Sequence, residues 1–157
     1  MAYVDNNLLL SGSISSTGAV AGQTVFSAGT YVLSTNTVDL GTARDMGEGT
    51  NLFGRFQYTV AAVGGTSIEM QVISATDAAL STSVVVLGTT GPIPVASLTI
   101  GSRFACDTSP LIGSKGQRYL GLRYISVGTT TAGSVFGDLG TDIQDGQKFY
   151  AGGFAVL

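Results

Sequence analysis

"RFQYTVAAVGGTSIEMQVIS", residues Arg55 to Ser74, decides the fold. Phe56, Tyr58 and Val60 alternate with Gln57 and Thr59, and Ile68, Met70 and Val72 alternate with Glu69 and Gln71. A period of two places each apolar set on one face of a half-buried strand. Between the two runs, Val63-Gly64-Gly65-Thr66 supplies residues that tolerate φ > 0, so a hairpin joining them is expected.

The same signature continues in both directions. Downstream, strands are expected over Leu98 to Cys106, Arg118 to Val127, Ala132 to Leu139 and Phe149 to Val156, and upstream over Gln23 to Ser34 and Thr37 to Leu40. Ser83 to Leu87 is an unbroken β-branched run suited to a buried strand. Gly91-Pro92-Ile93-Pro94 is expected to break structure, because neither proline donates to a ladder. No window carries an amphipathic helical pattern, and 23 glycines argue against helix interiors. About nine short strands with turn signals between them predict an all-β chain: a single antiparallel domain over residues 1–157, a sandwich or a barrel of jelly-roll or related type.

Composition narrows the function classes. Charged residues make up 11% of the chain, against about 25% in an ordinary soluble domain, with Gly, Ser and Thr in their place. A net charge of −3 and seven dispersed basic residues give no electrostatic footprint for nucleic acid. No apolar run approaches the roughly 20 residues of a membrane span, and the start "MAYVD" lacks the basic region of a signal peptide. The one cysteine, Cys106, has no internal disulfide partner and reads as a small strand residue, in keeping with folding in a reducing cytoplasm.

Reactive chemistry is sparse. Without histidine there is no Ser-His-Asp or Cys-His arrangement, and "GSKGQ" (113–117) is a turn rather than a phosphate-binding loop. Asp138, Asp142 and Asp145 lie close enough in sequence to suggest calcium, but their spacing matches no dedicated calcium loop. "ARDMGEG" (43–49) reads as a charged loop and not as an acid/base pair. The chain is expected to be no enzyme and to hold no cofactor and no metal.

Two segments point instead to contact surfaces. Between Asp5 and Asp39 there is no charged side chain, yet Leu8, Leu9 and Leu10 stand together near the start. Two readings are open: residues 1–12 form an arm whose leucines insert into a partner, or the leucines are a first strand in the chain's own core. In "QRYLGLRYISVG" (117–128), Leu120, Leu122 and Tyr124 share one face, and Tyr119, Gly121, Arg123 and Ile125 the other. Either that second face simply meets solvent, or Tyr119 and Arg123 belong to an interface, where Tyr and Arg are enriched.

Together with "AYVDNNLLLS", "NTVDLG", "TSIEMQVISATDAALSTSVVVLG" and "IPVASLTIGSRF", the run "QRYLGLRYISVGTTTAGSVF" gives the chain a family likeness. It resembles the cement, or decoration, proteins of tailed-bacteriophage capsids, of the family typified by the Bordetella phage cement protein. The resemblance covers about residues 1–144; the tail "DGQKFYAGGFAVL" (145–157) lies outside it, and the placement of its strand is open. What the resemblance implies is a jelly-roll-like sandwich on the outer surface of the virion, made in the host cytoplasm. Its implied partners are the major capsid protein, neighbouring copies of which it clamps, and other copies of itself, a homodimer being favoured and a trimer allowed. No nucleic acid, membrane, catalytic residue or metal is implied. The alternative is a receptor- or carbohydrate-binding module of a phage tail or fibre, against which the absence of tryptophan counts.

Overall fold

The structure, a computed structural model, describes residues 7–25, 31–43, 52–109 and 117–141. Among these, twelve strands follow in chain order: β1 (Leu9–Ser11), β2 (Ser13–Ile14), β3 (Val20–Ala21), β4 (Gln23–Thr24), β5 (Tyr31–Leu33), β6 (Val38–Asp39), β7 (Leu52–Gly64), β8 (Ser67–Ala75), β9 (Val85–Pro94), β10 (Arg103–Thr108), β11 (Tyr119–Val127) and β12 (Thr130–Gly140). One 3-10 turn, Val95–Ser97, separates β9 from β10. The first sheet runs β1-β12-β7-β10, with β4 also on β12; the second runs β5-β11-β8-β9, with β6 also on β11; β2 and β3 form a small ribbon. Every pairing is antiparallel. The architecture is the expected antiparallel sandwich, and no closed barrel.

The expected hairpin does not form. β7 pairs with β12 and β10, and β8 with β11 and β9, so Gly64-Gly65 carries the chain from one sheet to the other. The alternation holds for Phe56, Tyr58, Ile68, Met70 and Val72 but serves a different neighbour. Val60, expected on the face of Phe56 and Tyr58, is exposed, because a register shift against β12 leaves an extra residue between Tyr58 and Val60. Each strand has one apolar face, and those faces meet across the core. Phe56 and Tyr58 come from one sheet and Ile68, Met70 and Val72 from the other, all essentially buried. The crossing needs its glycines: both have positive φ (76° and 72°), and a Cβ on Gly64 would sit 2.7 Å from the Thr129 carbonyl oxygen. Edge-on ring contacts complete the core, Phe56 with Tyr124 at 6.0 Å and Tyr58 with Phe104 at 6.4 Å.

Three further expectations are corrected. Gly91 to Pro94 does not break structure but ends β9, with Pro92 opposite Glu69 and Pro94 opposite Ser67. β9 is an edge strand, where missing N–H groups cost the sheet nothing on the outer side. For the same reason Ser83 to Leu87 is not a buried strand: Val86 is exposed while Leu87 points inward. Leu98 precedes β10 rather than starting it, and its carbonyl accepts the Ala62 amide at 2.9 Å. The strand expected over Phe149 to Val156, and residues 145–157 as a whole, lie outside the described residues.

The flanks of the sandwich are closed differently. On one, Gly88 of β9 lies so close to β10 that a Cβ would stand 2.1 Å from the Asp107 carbonyl oxygen, and the Ser109 amide donates to the Leu87 carbonyl at 2.9 Å. On the other, the Gln23 side chain donates to the Leu33 carbonyl and accepts from the Thr35 amide, while the Asn36 amide donates to the Leu10 carbonyl.

Candidate interaction surface

The register of β11 against β8 creates the outer face of the second sheet. Gly121 stands opposite Ile73, Arg123 opposite Gln71, and Ile125 opposite Glu69, while β5 brings Tyr31 beside Ile125 and Leu33 beside Arg123. Directly opposed residues share a face, so Glu69, Gln71, Arg123 and Tyr31 converge. The Arg123 guanidinium donates to Gln71 Oε1 through Nε (2.8 Å) and Nη2 (2.6 Å) and lies over the Tyr31 ring, 5.9 Å from its centre. Gln71 in turn donates to Glu69 Oε1 at 2.6 Å, which also accepts from the Thr89 hydroxyl at 2.7 Å. Those bonds, from Thr89 first and Gln71 second, hold the Glu69 carboxyl below its ordinary range, against the opposing effect of partial burial.

This relay fixes Arg123 by its Nε edge and leaves Nη1 without a partner among the described residues. Tyr31, half exposed, is the one exposed aromatic side chain among them. A guanidinium held flat beside an accessible phenol combines directional donors with apolar area at small further loss of rotamer freedom.

Tyr119 and Arg123 lie on this face as expected, but they do not touch: Leu80 sits between them. The loop after β8 turns back so that Leu80, buried and with φ at 54°, covers Gly121, where a Cβ would meet Leu80 Cδ1 at 2.2 Å. Asp77 holds the loop by accepting from the Ser81 hydroxyl (2.8 Å) and from the amides of Ser81 (3.0 Å) and Thr82 (2.6 Å), which keeps its carboxyl below the ordinary range. Leu80, Ile73 and Ala75 form a small buried cluster against which Tyr119 packs, with the Arg118 guanidinium 5.2 Å from its ring centre. Arg118 is itself paired with Asp39 (2.5 Å and 2.6 Å). Tyr119 is thus largely engaged within its own chain.

The leucines resolve in favour of the core. Leu9 and Leu10 are buried in the chain itself, and Leu8 packs partly buried against the main core. Ser11 Oγ accepts from the Tyr124 hydroxyl at 2.8 Å, tying β1 to β11. Side chains this enclosed are not free to insert into a partner, and residues 1–6 of the expected arm lie outside the described residues. Of the three aspartates considered for calcium, Asp138 forms a two-pronged ion pair with Arg55, and Asp142 and Asp145 lie outside the described residues. No three potential metal ligands converge among the described residues. Burial pushes the Asp138 carboxyl up, against the pull of Arg55, and Cys106 is a buried core thiol raised likewise by burial.

Tyr31 and Gln71 were not singled out by the sequence. Gln71 carried a weak signal, as an outward position in an alternating run; Tyr31 carried none, because its neighbour Arg123 is fixed only by long-range register.

The geometry defines a class first: a small antiparallel β-sandwich presenting a pre-ordered Tyr–Arg surface on one sheet. The chain belongs to the Bbp16 family, a family of Bordetella phage proteins, whose sequence profile it matches over residues 19–138. That span takes in Tyr31, Gln71, Tyr119 and Arg123 and leaves out Leu8 to Leu10. Membership points to a structural protein of a phage. No curated protein matches the chain.

Proposed function

We propose that this protein is a capsid cement, or decoration, protein: a non-enzymatic β-sandwich on the outside of a phage head that clamps neighbouring major capsid proteins. Membership of the Bbp16 family is the observation that carries the reading. The low charge content supports it, since charge buried between packed subunits is desolvated at a cost, whereas Ser, Thr and Gly allow close approach and still hydrogen-bond. On this reading Tyr31 and Arg123 meet the shell. One copy bridging two capsid subunits gains effective concentration, so modest contacts suffice.

The test is the copy number of the chain per purified particle, measured by mass spectrometry against the major capsid protein. A fixed stoichiometry implying hundreds of copies is expected. A few copies per particle would instead favour a receptor- or carbohydrate-binding module, the reading to which exposed Tyr31 lends itself as a stacking platform. Absence from the particle refutes both.

A further inference from the structure

Arg55 and Arg118 are each met by a carboxylate of their own chain, Asp138 and Asp39. Arg123, itself half-buried, is met instead by the neutral amide of Gln71, a side chain only 7% exposed. Glu69 dictates how that amide is turned. A carboxylate can only accept, so Gln71 directs its NH2 group to Glu69 and its oxygen to Arg123. The Thr89 hydroxyl, from the neighbouring strand β9, steadies Glu69 in turn. Glu69 and Gln71 are therefore positioning residues for the guanidinium.

What they leave open has a definite shape. Nε and one hydrogen of Nη2 point at the same Gln71 oxygen, so the remaining edge is formed by Nη1 and the second Nη2 hydrogen. Two N–H groups lie parallel along that edge, in the guanidinium plane, and match the two oxygens of one carboxylate. No described residue takes this edge. The Tyr31 ring lies against one face of the plane, 5.9 Å from its centre to Cζ, so on that side an anion reaches Arg123 along the edge and not from above.

We infer that Arg123 is a carboxylate-binding site, its open edge taking an aspartate or glutamate side chain of a shell subunit in a two-pronged ion pair. The inference rests on the reading of this face as the one that meets the shell, and it names what the shell presents there. An arginine closed in against another subunit without a counter-charge is desolvated at a cost, which the Gln71 amide does not offset. A neutral acceptor on the shell would leave most of that cost unmet. A dianionic group such as phosphate would meet the Glu69 carboxylate close behind, in a chain of net charge −3. The half-exposed Tyr31 adds apolar area beside the pair, and a drier site strengthens the attraction.

Exchanging the two positioning residues tests it. Glu69→Gln/Gln71→Glu keeps the composition, the net charge and the chain of hydrogen bonds, but puts a carboxylate directly on Arg123. Wild type should bind purified heads assembled without this chain. The double variant, folded by circular dichroism, should bind them at least about tenfold more weakly, because its arginine is already neutralised. A face that served only packing or ring stacking would not register the exchange. Arg123→Lys keeps the charge but offers no planar fork; it should lose a similar factor, and it carries the test if the double variant does not fold. On the partner's side, coupling glycinamide to the accessible carboxyls of the heads with a carbodiimide should abolish wild-type binding. Binding that survives the exchange, the lysine or the coupling overturns the inference and leaves the capsid reading standing. A wild type that binds no heads removes the capsid reading, and the inference with it.

Discussion

Each sheet carries an arginine in a cross-strand partnership on its outer face, and the two arrangements differ in what they leave over. On the first sheet Arg55 and Asp138 form an ion pair in which the carboxylate side chain is 6% exposed and the guanidinium 22%. Leu9, opposite Asp138, and Phe136 on the same strand are buried as well. On the second sheet Arg123 is held by a neutral amide, Gln71, and lies against a half-exposed tyrosine. Pairing with a buried carboxylate uses an arginine for cohesion. Being steadied by an amide, with the Glu69 carboxylate one bond further along, leaves an arginine less fully neutralised than direct pairing does. On the proposed function, the first face serves stability and the second recognition.

Mutation can break that division. The largest loss is expected from Asp138→Ala, about 3 kcal/mol in denaturant unfolding, because Arg55 loses the Asp138 carboxylate in a mostly enclosed site. Asp138→Asn keeps an acceptor and removes a carboxylate that burial disfavours, so it should cost only about 1 kcal/mol. Next, Leu9→Ala should cost about 2 kcal/mol by the same measurement; a free arm would show no loss. On the second sheet, Arg123→Ala should change unfolding by less than about 1 kcal/mol yet weaken binding to purified heads at least about tenfold. If Arg123→Ala instead destabilises as much as Asp138→Ala, the two faces are equivalent and the comparison fails.

The smallest effect separates the carboxylates by pH. The folded state holds Glu69 below its ordinary range, so its contribution is complete above that range and is lost as pH falls through the folded value. Asp138 is held above its ordinary range by burial, so its contribution runs the other way and declines as pH rises through the interval between the ordinary and folded values. Unfolding midpoints recorded from neutral to acid pH should therefore fall less steeply in Glu69→Gln than in wild type. An unchanged slope would mean that the Thr89 and Gln71 bonds do not persist in solution.

Faces were legible in the sequence and partners were not. Phe56, Tyr58, Ile68, Met70, Val72, Leu120, Leu122 and Tyr124 point inward as their alternation required, because alternation is a property of the strand itself. Val60 does not, because a register shift set by the neighbouring strand turns it outward. Which strand lies beside which depends on contacts distant in sequence, so two alternating runs joined by glycines read equally well as a hairpin or as a crossing between sheets. The same limit hid Gln71 and Tyr31 as neighbours of Arg123. It also left the leucines open: "LLL" near a chain start has no period to show whether its own core or another surface receives it. Gly121 was visible in "RYLGLRY", but the leucine that lies over it comes from a loop some forty residues earlier in the chain.

The closed flanks carry a consequence for crowding. A sandwich ordinarily ends in strands whose idle donors and acceptors can recruit another chain's backbone, which is how native folds drift into cross-β fibrils. Here Pro92 and Pro94 remove donors from β9, Gly88 lets β9 and β10 seal one another, and Gln23 and Asn36 bridge the other flank. A chain with so little charge has weak electrostatic protection against its own kind. Its backbone geometry supplies the protection instead, so that copies held side by side at high density can touch through side chains without polymerising through their strands.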